Sequence, residues 1–409
     1  MPIRDLLGDP RVRAVGVVLG CLVCQLGLGF GYAISPLAPD ILAEFGWTRA
    51  LYASAQGPQT LLIAITSPLI GVLVARHGAR AVLSAGAVTL AAGYGMIAGM
   101  QAWWHLALAW AVIGLGVAGL GDIAVGAVVA RWISRWRGLA LGIVYTGSNL
   151  GGAIATRAVA ALADRFSWRF ALAVLAASGI VVLLPAAWFA VPDRAGAEAA
   201  ADAEAEPASG SERDLDVRAA LHTRSFWIIA IGLLGFWAYL YALLQHFVLA
   251  LVDTGMARDL ATAYWSNAVF MGMFSQIAFG WIADRVPAKT GLLLDYGLLA
   301  LSSLFLLGVS GGGAATLWSF AVLFGFSYAA RDVVTPLIIV HCFGSRNLAQ
   351  IYGVLMLTIL PGSAGSIFAG WVHDQTGAYQ LAFLTLAGVN AATFALLFAV
   401  RDERVARPT

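Results

Sequence analysis

Stretches long and apolar enough to cross a bilayer recur along the whole of this 409-residue chain, each closed by a short polar break. A hydrocarbon layer of about 30 Å takes about 20 mainly apolar residues in a helix, and windows of that length predict twelve spans, at 12–36, 48–75, 80–101, 104–131, 138–163, 168–191, 225–252, 260–283, 290–309, 313–341, 348–372 and 378–400. Composition agrees, with 60% hydrophobic and 11% charged residues where a soluble domain carries about 25% charged. The expectation is an all-α membrane protein. The first apolar stretch is too long for the core of a cleaved signal peptide, so it is expected to stay in the mature chain.

The spans fall into two sets of six. Between them lies 193–224, whose "RAGAEAAADAEAEPASGSERD" is rich in Ala, Glu and Ser and has no apolar face, as a flexible cytoplasmic linker would be. The expected domains are therefore a six-helix bundle over 1–192, the linker, and a second six-helix bundle over 225–409. Basic residues orient the spans. With the N-terminus inside, only Arg49, Arg165, Arg169 and Arg258 fall on the outer side, while Arg157 and Arg331 lie within helices. Both termini are then cytoplasmic, with the cell inner (plasma) membrane as the expected location.

Several classes of function drop out. The net charge of +2 is spread over short loops, so the clustered basic footprint of a nucleic-acid binder is missing. "GLGVAG" (114–119) fits a dinucleotide fingerprint but sits inside a span with no preceding strand. No zinc-type cluster, nucleophile elbow or phosphate loop occurs, so neither enzymatic activity, a metal nor a cofactor is expected. Cys21 and Cys24, one turn apart in the first span, and Cys342 are expected to pack rather than react.

The two sets repeat one another. "GVLVARHGAR" (71–80) corresponds to "GWIADRVPAK" (280–289), and "GDIAVG…RGLALGI" (121–143) to "RDVVTP…NLAQIYGV" (331–354), which aligns Asp122 with Asp332. Parallel repeats of this kind build many secondary transporters, with the site near the midplane. The chain resembles the major facilitator superfamily over nearly its whole length. Its two loop segments are similar to that family's G-x-L-a-D-R-x-G-R signature, with Ala75 in the aspartate place of the first and Asp284 and Arg285 in the second. The resemblance implies a conformational latch at Asp284 and Arg285. Within the family, "GFGYAISPLAPDILAEFGWTRA" (29–50), "ARWISRWRGLALGI" (130–143) and the long stretch 323–383 are similar to the monocarboxylate porters and the oxalate/formate group. That subgroup carries a substrate-binding arginine in the eighth helix, four residues before the glycine of the loop signature. Here Gln276 holds the place, before Gly280.

The resemblance also implies that helices 1, 4, 7 and 10 line a central cavity, which makes their polar residues the candidates. A charge at mid-bilayer costs at least about 2.5–3.5 kcal/mol, so Arg331 and Asp332, side by side in "GFSYAARDVVTPLI" (325–338), need a reason to be there. Neighbours on a helix diverge by about 100°, so the spacing puts Tyr328 and Arg331 on one face and turns Asp332 toward another helix. A guanidinium offers a planar fork of donors that stays charged in a poorly hydrated cavity, suiting it to a carboxylate. Asp122 or Asp332 would then change its proton occupancy. The alternative is a permanent Asp–Arg pair locking two helices.

Other readings stay open at this stage. Arg157, about 28 Å along the fifth helix, either lines an outer vestibule, pairs with Asp164 or snorkels to the interface. His246 either carries a proton or makes interhelical hydrogen bonds. Gln25, Tyr32, Tyr145, Asn149, Tyr241, Asn267, Gln276 and Tyr352 are further polar groups for a small organic substrate. "GLGFG" and "GSNLGG" should allow close helix packing. The expected function is proton-coupled transport of a monocarboxylate-like organic anion by rocker-switch alternating access. The partners would be a small-molecule substrate, protons and the lipid bilayer, and the chain would act as a monomer. The rivals are a proton-coupled efflux antiporter of amphiphilic or cationic compounds, against which the fifth helix reads "GSNLGGAIAT" without a Gly-Pro pair, and a non-transporting membrane sensor.

Overall fold

A computed structural model describes residues 10–47, 49–133, 136–191, 214–308 and 313–404. Twelve long helices run through them: α1 (Pro10–Leu26), α2 (Gly57–His77), α3 (Ala79–Ala98), α4 (Trp103–Trp132), α5 (Arg137–Arg165), α6 (Trp168–Phe189), α7 (Arg224–Asp253), α8 (Arg258–Ala283), α9 (Ala288–Leu307), α10 (Ala314–Phe343), α11 (Leu348–Thr376) and α12 (Gln380–Leu397). Among the described residues, eleven segments are long and apolar enough to cross a membrane. The remaining helix is α8, 26 residues long, whose apolar character is diluted by Ser266, Asn267, Ser275 and Gln276. It completes the twelve.

The helices form two compact units, Met1–Gly210 with Tyr352–Val354, and Ser211–Ile351 with Leu355–Thr409. In the first, α4 packs on α2 and α3, α5 on α1, and α6 on α3. In the second, α10 packs on α8 and α9, α11 on α7, and α12 on α9. Adding six to each number turns the first set of pairings into the second, so the sequence repeat is also a repeat of packing.

Both fourth helices are broken beside the acids that the repeat aligns. In α4 the backbone opens to an extended conformation at Gly121, and the helix restarts at Asp122. In α10 it slackens at Ala329 and restarts at Ala330, just ahead of Arg331 and Asp332. Pro336, inside the second half of α10, removes a further backbone donor. These irregular points are where a spanning helix can present backbone and side-chain polar groups to something other than itself.

Beyond Leu26, α1 tightens into a 3-10 helix over Gly27–Leu37 that lies directly on α5. A Cβ at Gly29 would stand 2.7 Å from Gly151 C, and one at Gly151 2.6 Å from Leu26 Cα. Without a hydrophobic driving force between helices in lipid, this backbone-to-backbone approach supplies the van der Waals contact that joins them. Gly365 of α11 meets Ala238 of α7 in the same way, with a Cβ 2.6 Å from Ala238 Cα. Both glycine-rich segments singled out in the sequence thus serve packing.

Of the expected linker, 193–213 lies outside the described residues. The rest is ordered, where the composition suggested flexible chain. Residues Val217–Leu221 form a short helix, capped by the Asp216 carboxylate accepting from Ala219 N at 2.7 Å. Leu215 N–H donates to Phe343 O at 2.9 Å, and Arg346 N–H to Asp214 Oδ2 at 2.9 Å, so the segment is tied to the end of α10. In the first unit, Glu44 accepts from Arg169 and from Trp168 Nε1 at 2.8 Å, and these donors hold its carboxyl below the usual range.

Replacing Gly151 by Leu is expected to destabilise the protein by about 1–3 kcal/mol or more, because the new side chain meets backbone that cannot yield. The midpoint of thermal unfolding in detergent reads this, and Gly388→Leu, a site with open space around it, serves as the control.

Candidate functional site

In the second unit the side chain of Asp332 is 20% exposed, and its neighbour Arg331 on α10 is buried, 6% exposed. Its guanidinium lies over two aromatic rings of α7, 5.0 Å from the Phe236 centroid and 4.6 Å from that of Trp237. Desolvated cation–π contacts of this kind are worth about 2 kcal/mol each. Arg331 Nη2 also donates to Asp332 Oδ1. Asp332 Oδ2 accepts from Gln276 Nε2 of α8 at 3.2 Å. Asp332 therefore does turn toward a neighbouring helix, as the spacing predicts. The same spacing sets Arg331 about 100° away from it, yet the long side chain folds back and closes the pair. Tyr328 lies against Gly272 of α8, where a Cβ would be 2.7 Å from its ring, and stacks on Phe324.

Gln276 is the departure from the subgroup pattern, and its position explains how the departure is accommodated. It stands where the resembled porters have arginine, and two hydrogen bonds, both accepted by Asp332, link it to Arg331. The cation of α10 thus occupies the neighbourhood of the position that α8 leaves neutral.

Sequence reasoning missed a second acid here. Asp295 of α9, in "GLLLDYGLLA", is 2% exposed and within electrostatic reach of both Arg331 and Asp332. The signal was available, since a lone carboxylate inside an apolar run is as costly as the arginine that drew attention. Phe236, Trp237 and Ser327 were also missed, because aromatic and small hydroxyl residues are common in spans and carry no such signal.

In the first unit Asp122 is half-buried and accepts from Gln25 Nε2 of α1 at 3.3 Å. Tyr145, fully buried in α5, donates its hydroxyl to the Asp122 backbone carbonyl at 3.3 Å. Asn149 is half-buried one turn further along α5. The Tyr32 ring, exposed at the end of α1, covers Gly152. Asp122, Gln25, Tyr145 and Tyr32 thus belong to the α1–α4–α5 contact. Arg157 is exposed, and among the described residues no ion pair joins it to Asp164.

The remaining candidates are held in place by neighbours. His246 Nε2 meets the Ser366 carbonyl at 3.0 Å and Nδ1 the Tyr379 hydroxyl at 3.1 Å, so the ring ties α7 to α11 and to the turn before α12. This is the geometry of an interhelical brace. Tyr241 packs 6.1 Å from Trp237. Asp284 ends α8, and Arg285 donates to Trp281 O at 3.0 Å while stacking 3.8 Å above the Trp281 ring. Cys21, Cys24 and Cys342 are free and buried. Among the described residues no group of His, Cys, Asp and Glu is placed to hold a metal ion. A cavity on α3 and α6, lined by Ser84, Val88, Leu184 and Trp188, is almost wholly apolar and contains none of the candidates.

Two repeated six-helix units with broken fourth helices and buried charge define a secondary transporter. The family model of the Major Facilitator Superfamily matches residues 19–364, and the chain belongs to that superfamily. It is a multi-pass membrane transporter and not an enzyme. It is similar to mouse monocarboxylate transporter 11, at 27% identity over 390 residues, covering 90% of this chain and 83% of the relative. The hexuronate transporter of Bacillus subtilis (strain 168) is 26% identical over 311 residues, or 70% and 71% of the two chains. The crystal structure of the E. coli fucose:proton symporter superimposes with a TM-score of 0.70 at 16% identity, covering 94% of this chain and 99% of the other, and shows the shared fold.

The Gln276→Leu variant is expected to lose about 1–3 kcal/mol of stability, since it strips a half-buried carboxylate of a donor. Thermal unfolding in detergent checks this. An unchanged midpoint would mean that the hydrogen bond to Asp332 is not what holds the acid in place.

Proposed function

We propose that this protein transports a small, monocarboxylate-like organic anion together with a proton, by rocker-switch alternating access. The supporting observation is Arg331, a permanent cation deep in a span, backed by two aromatic rings and balanced by an adjacent acid. Its fork of donors suits a carboxylate bidentately, and Asp332 is the ligand that an incoming carboxylate would displace. Curated relatives whose names denote transport of carboxylates, monocarboxylates in one and hexuronate in the other, favour the same class of cargo. Tyr328, Gln276 and Tyr241 are the proposed substrate contacts of the second unit. Asp122, Tyr145, Asn149, Tyr32 and Arg157 are those of the first. Asp122, Asp332 and His246 are the titratable groups the sequence offers for coupling, with His246 the most constrained of them. Asp284 and Arg285 act as the cytoplasmic latch. The chain works as a monomer in the cell inner (plasma) membrane with both termini in the cytoplasm.

Co-transport of a proton with a monoanion is electroneutral, which fits a site that combines one fixed cation with titratable acids. The test is a thermal-shift series on purified protein with pyruvate, lactate and glucuronate, set beside neutral sugars and cationic amphiphiles. Ligand binding stabilises by mass action. Carboxylates should raise the unfolding midpoint of the wild type and leave that of a folded Arg331→Gln variant unmoved. Equal carboxylate affinity in the two proteins would remove Arg331 from the site.

A further inference from the structure

At the start of α3, Arg80 ties the third helix of the first unit to the sixth. Its Nε donates at 2.8 Å to the carbonyl of Val191, just past the end of α6. The sequence repeat sets Lys289 in the same place of the second unit, where its amine donates at 2.7 Å to Phe398 O, just past the end of α12. Joining the two helix ends therefore takes a single donor. Arg80 has more than that, because its two η nitrogens make no bond to any of the described residues. Nor is there an acid in the loop that leads to it, "GVLVARHGAR", whereas the corresponding loop of the second unit holds Asp284.

One turn along α3 from Arg80 begins a groove of about 640 Å³. Ser84, Ala85 and Val88 form its wall on α3, and Pro185, Trp188 and Phe189 its wall on α6. The backbone of α6 accounts for the opening. It takes wide π turns at Gly179–Leu183 and at Ala186–Ala190, on either side of Pro185, which has no N–H to give. Its counterpart α12 is a regular α-helix over Gln380–Leu397. The groove opens away from the unit, since Trp188 is 53% and Phe189 81% exposed. Its floor carries one polar group. Ser84 is 7% exposed and its hydroxyl has no hydrogen-bond partner, whereas Thr89, on the same helix, donates back to Ala85 O at 2.7 Å. A hydroxyl so placed is costly to leave unpaired.

We propose that this groove binds one anionic glycerophospholipid, with the phosphate on Arg80, an acyl ester at Ser84 and the first methylenes of one acyl chain along Val88 and Trp188. The groups follow one another on the protein in the order they have on the lipid. Four residues separate Arg80 from Ser84, about 6 Å of helical rise, and a glycerol backbone joins phosphate to ester on that scale. The guanidinium presents a planar fork to the phosphate oxygens. The Ser84 hydroxyl donates to the ester carbonyl. Lipid tails are as apolar as the side chains of the groove, so the groove alone would choose no particular lipid. The choice comes from charge, and one basic residue beside an anionic headgroup is worth about fivefold in affinity. Such a lipid bridges α3 and α6 where the π turns part them. The site lies wholly within the first unit and stands whatever cargo is carried.

Native mass spectrometry of the full chain in detergent, titrated with phosphatidylglycerol or with phosphatidylcholine of the same acyl chains, tests this. Wild type should take up its first phosphatidylglycerol about fivefold more tightly than phosphatidylcholine. Arg80→Gln keeps an N–H for Val191 O but loses the charge and the fork, so its preference should fall to parity. Ala85→Trp fills the groove with Arg80 in place, and should lose the tight phosphatidylglycerol adduct. Should either variant fail to fold, wild type decides by photocrosslinking. Phosphatidylglycerol with a diazirine near the ester end of its acyl chain should label the peptides that hold 84–89 and 184–189. Equal affinity for the two lipids in wild type, or a preference undiminished in folded Arg80→Gln, overturns the headgroup site. A tight adduct kept by folded Ala85→Trp, or label confined to other peptides, overturns the groove.

Discussion

A guanidinium held inside a hydrocarbon layer cannot lose its charge, and everything around Arg331 can be read as a response to that fact. The two rings of α7 offer their negative faces. Asp332 offers a carboxylate, and Gln276 steadies it from α8. A simple ion pair would have needed only one partner. Asp295 of α9 adds a second acid within electrostatic reach of the pair.

The broken fourth helices explain how such a group can be placed at all. An unbroken α10 would satisfy every backbone group within itself. The slackening at Ala329, with Pro336 about two turns further on, interrupts that ladder just where the charges stand. The corresponding opening at Gly121 leaves Asp122 at the head of a new helical segment, where it meets Gln25 and, through its backbone, Tyr145. Rigid contacts surround both breaks. The glycine seams Gly29–Gly151 and Gly365–Ala238 bring α1 to α5 and α7 to α11 at backbone distance. Each unit thus couples a tightly sealed seam with one irregular, polar helix.

Much of this could be read from the residues. Apolar length fixed the spans to within a few positions except near the second helix, where Arg49–Ser54 forms a separate short helix and the span begins at Gly57. The repeat was visible in two short matches, and the packing of α1 on α5 in the runs of glycine. Arg331 and Asp332 announced themselves because charge in a span is expensive. What could not be read were relationships that depend on a bend or on three helices meeting. Gln276 looked like a loss, and only its hydrogen bond to Asp332 shows the cation standing beside it on another helix. His246 had the chemistry of a proton carrier, but Ser366 and Tyr379, more than a hundred positions away in sequence, engage both of its nitrogens. Asp295 obeyed the rule that flagged Arg331, and its significance emerges only when α9 is laid against α10.

The central claim is that a fixed cation and a titratable acid take up an anion and a proton as one neutral load. The most direct measurement is uptake into proteoliposomes of the carboxylate that stabilises the protein most, with the pH gradient and the membrane potential imposed separately. The account predicts accumulation driven by an inward proton gradient, with internal acidification that tracks uptake, and no response to potential alone. Accumulation driven by potential, with internal pH unchanged, would contradict it.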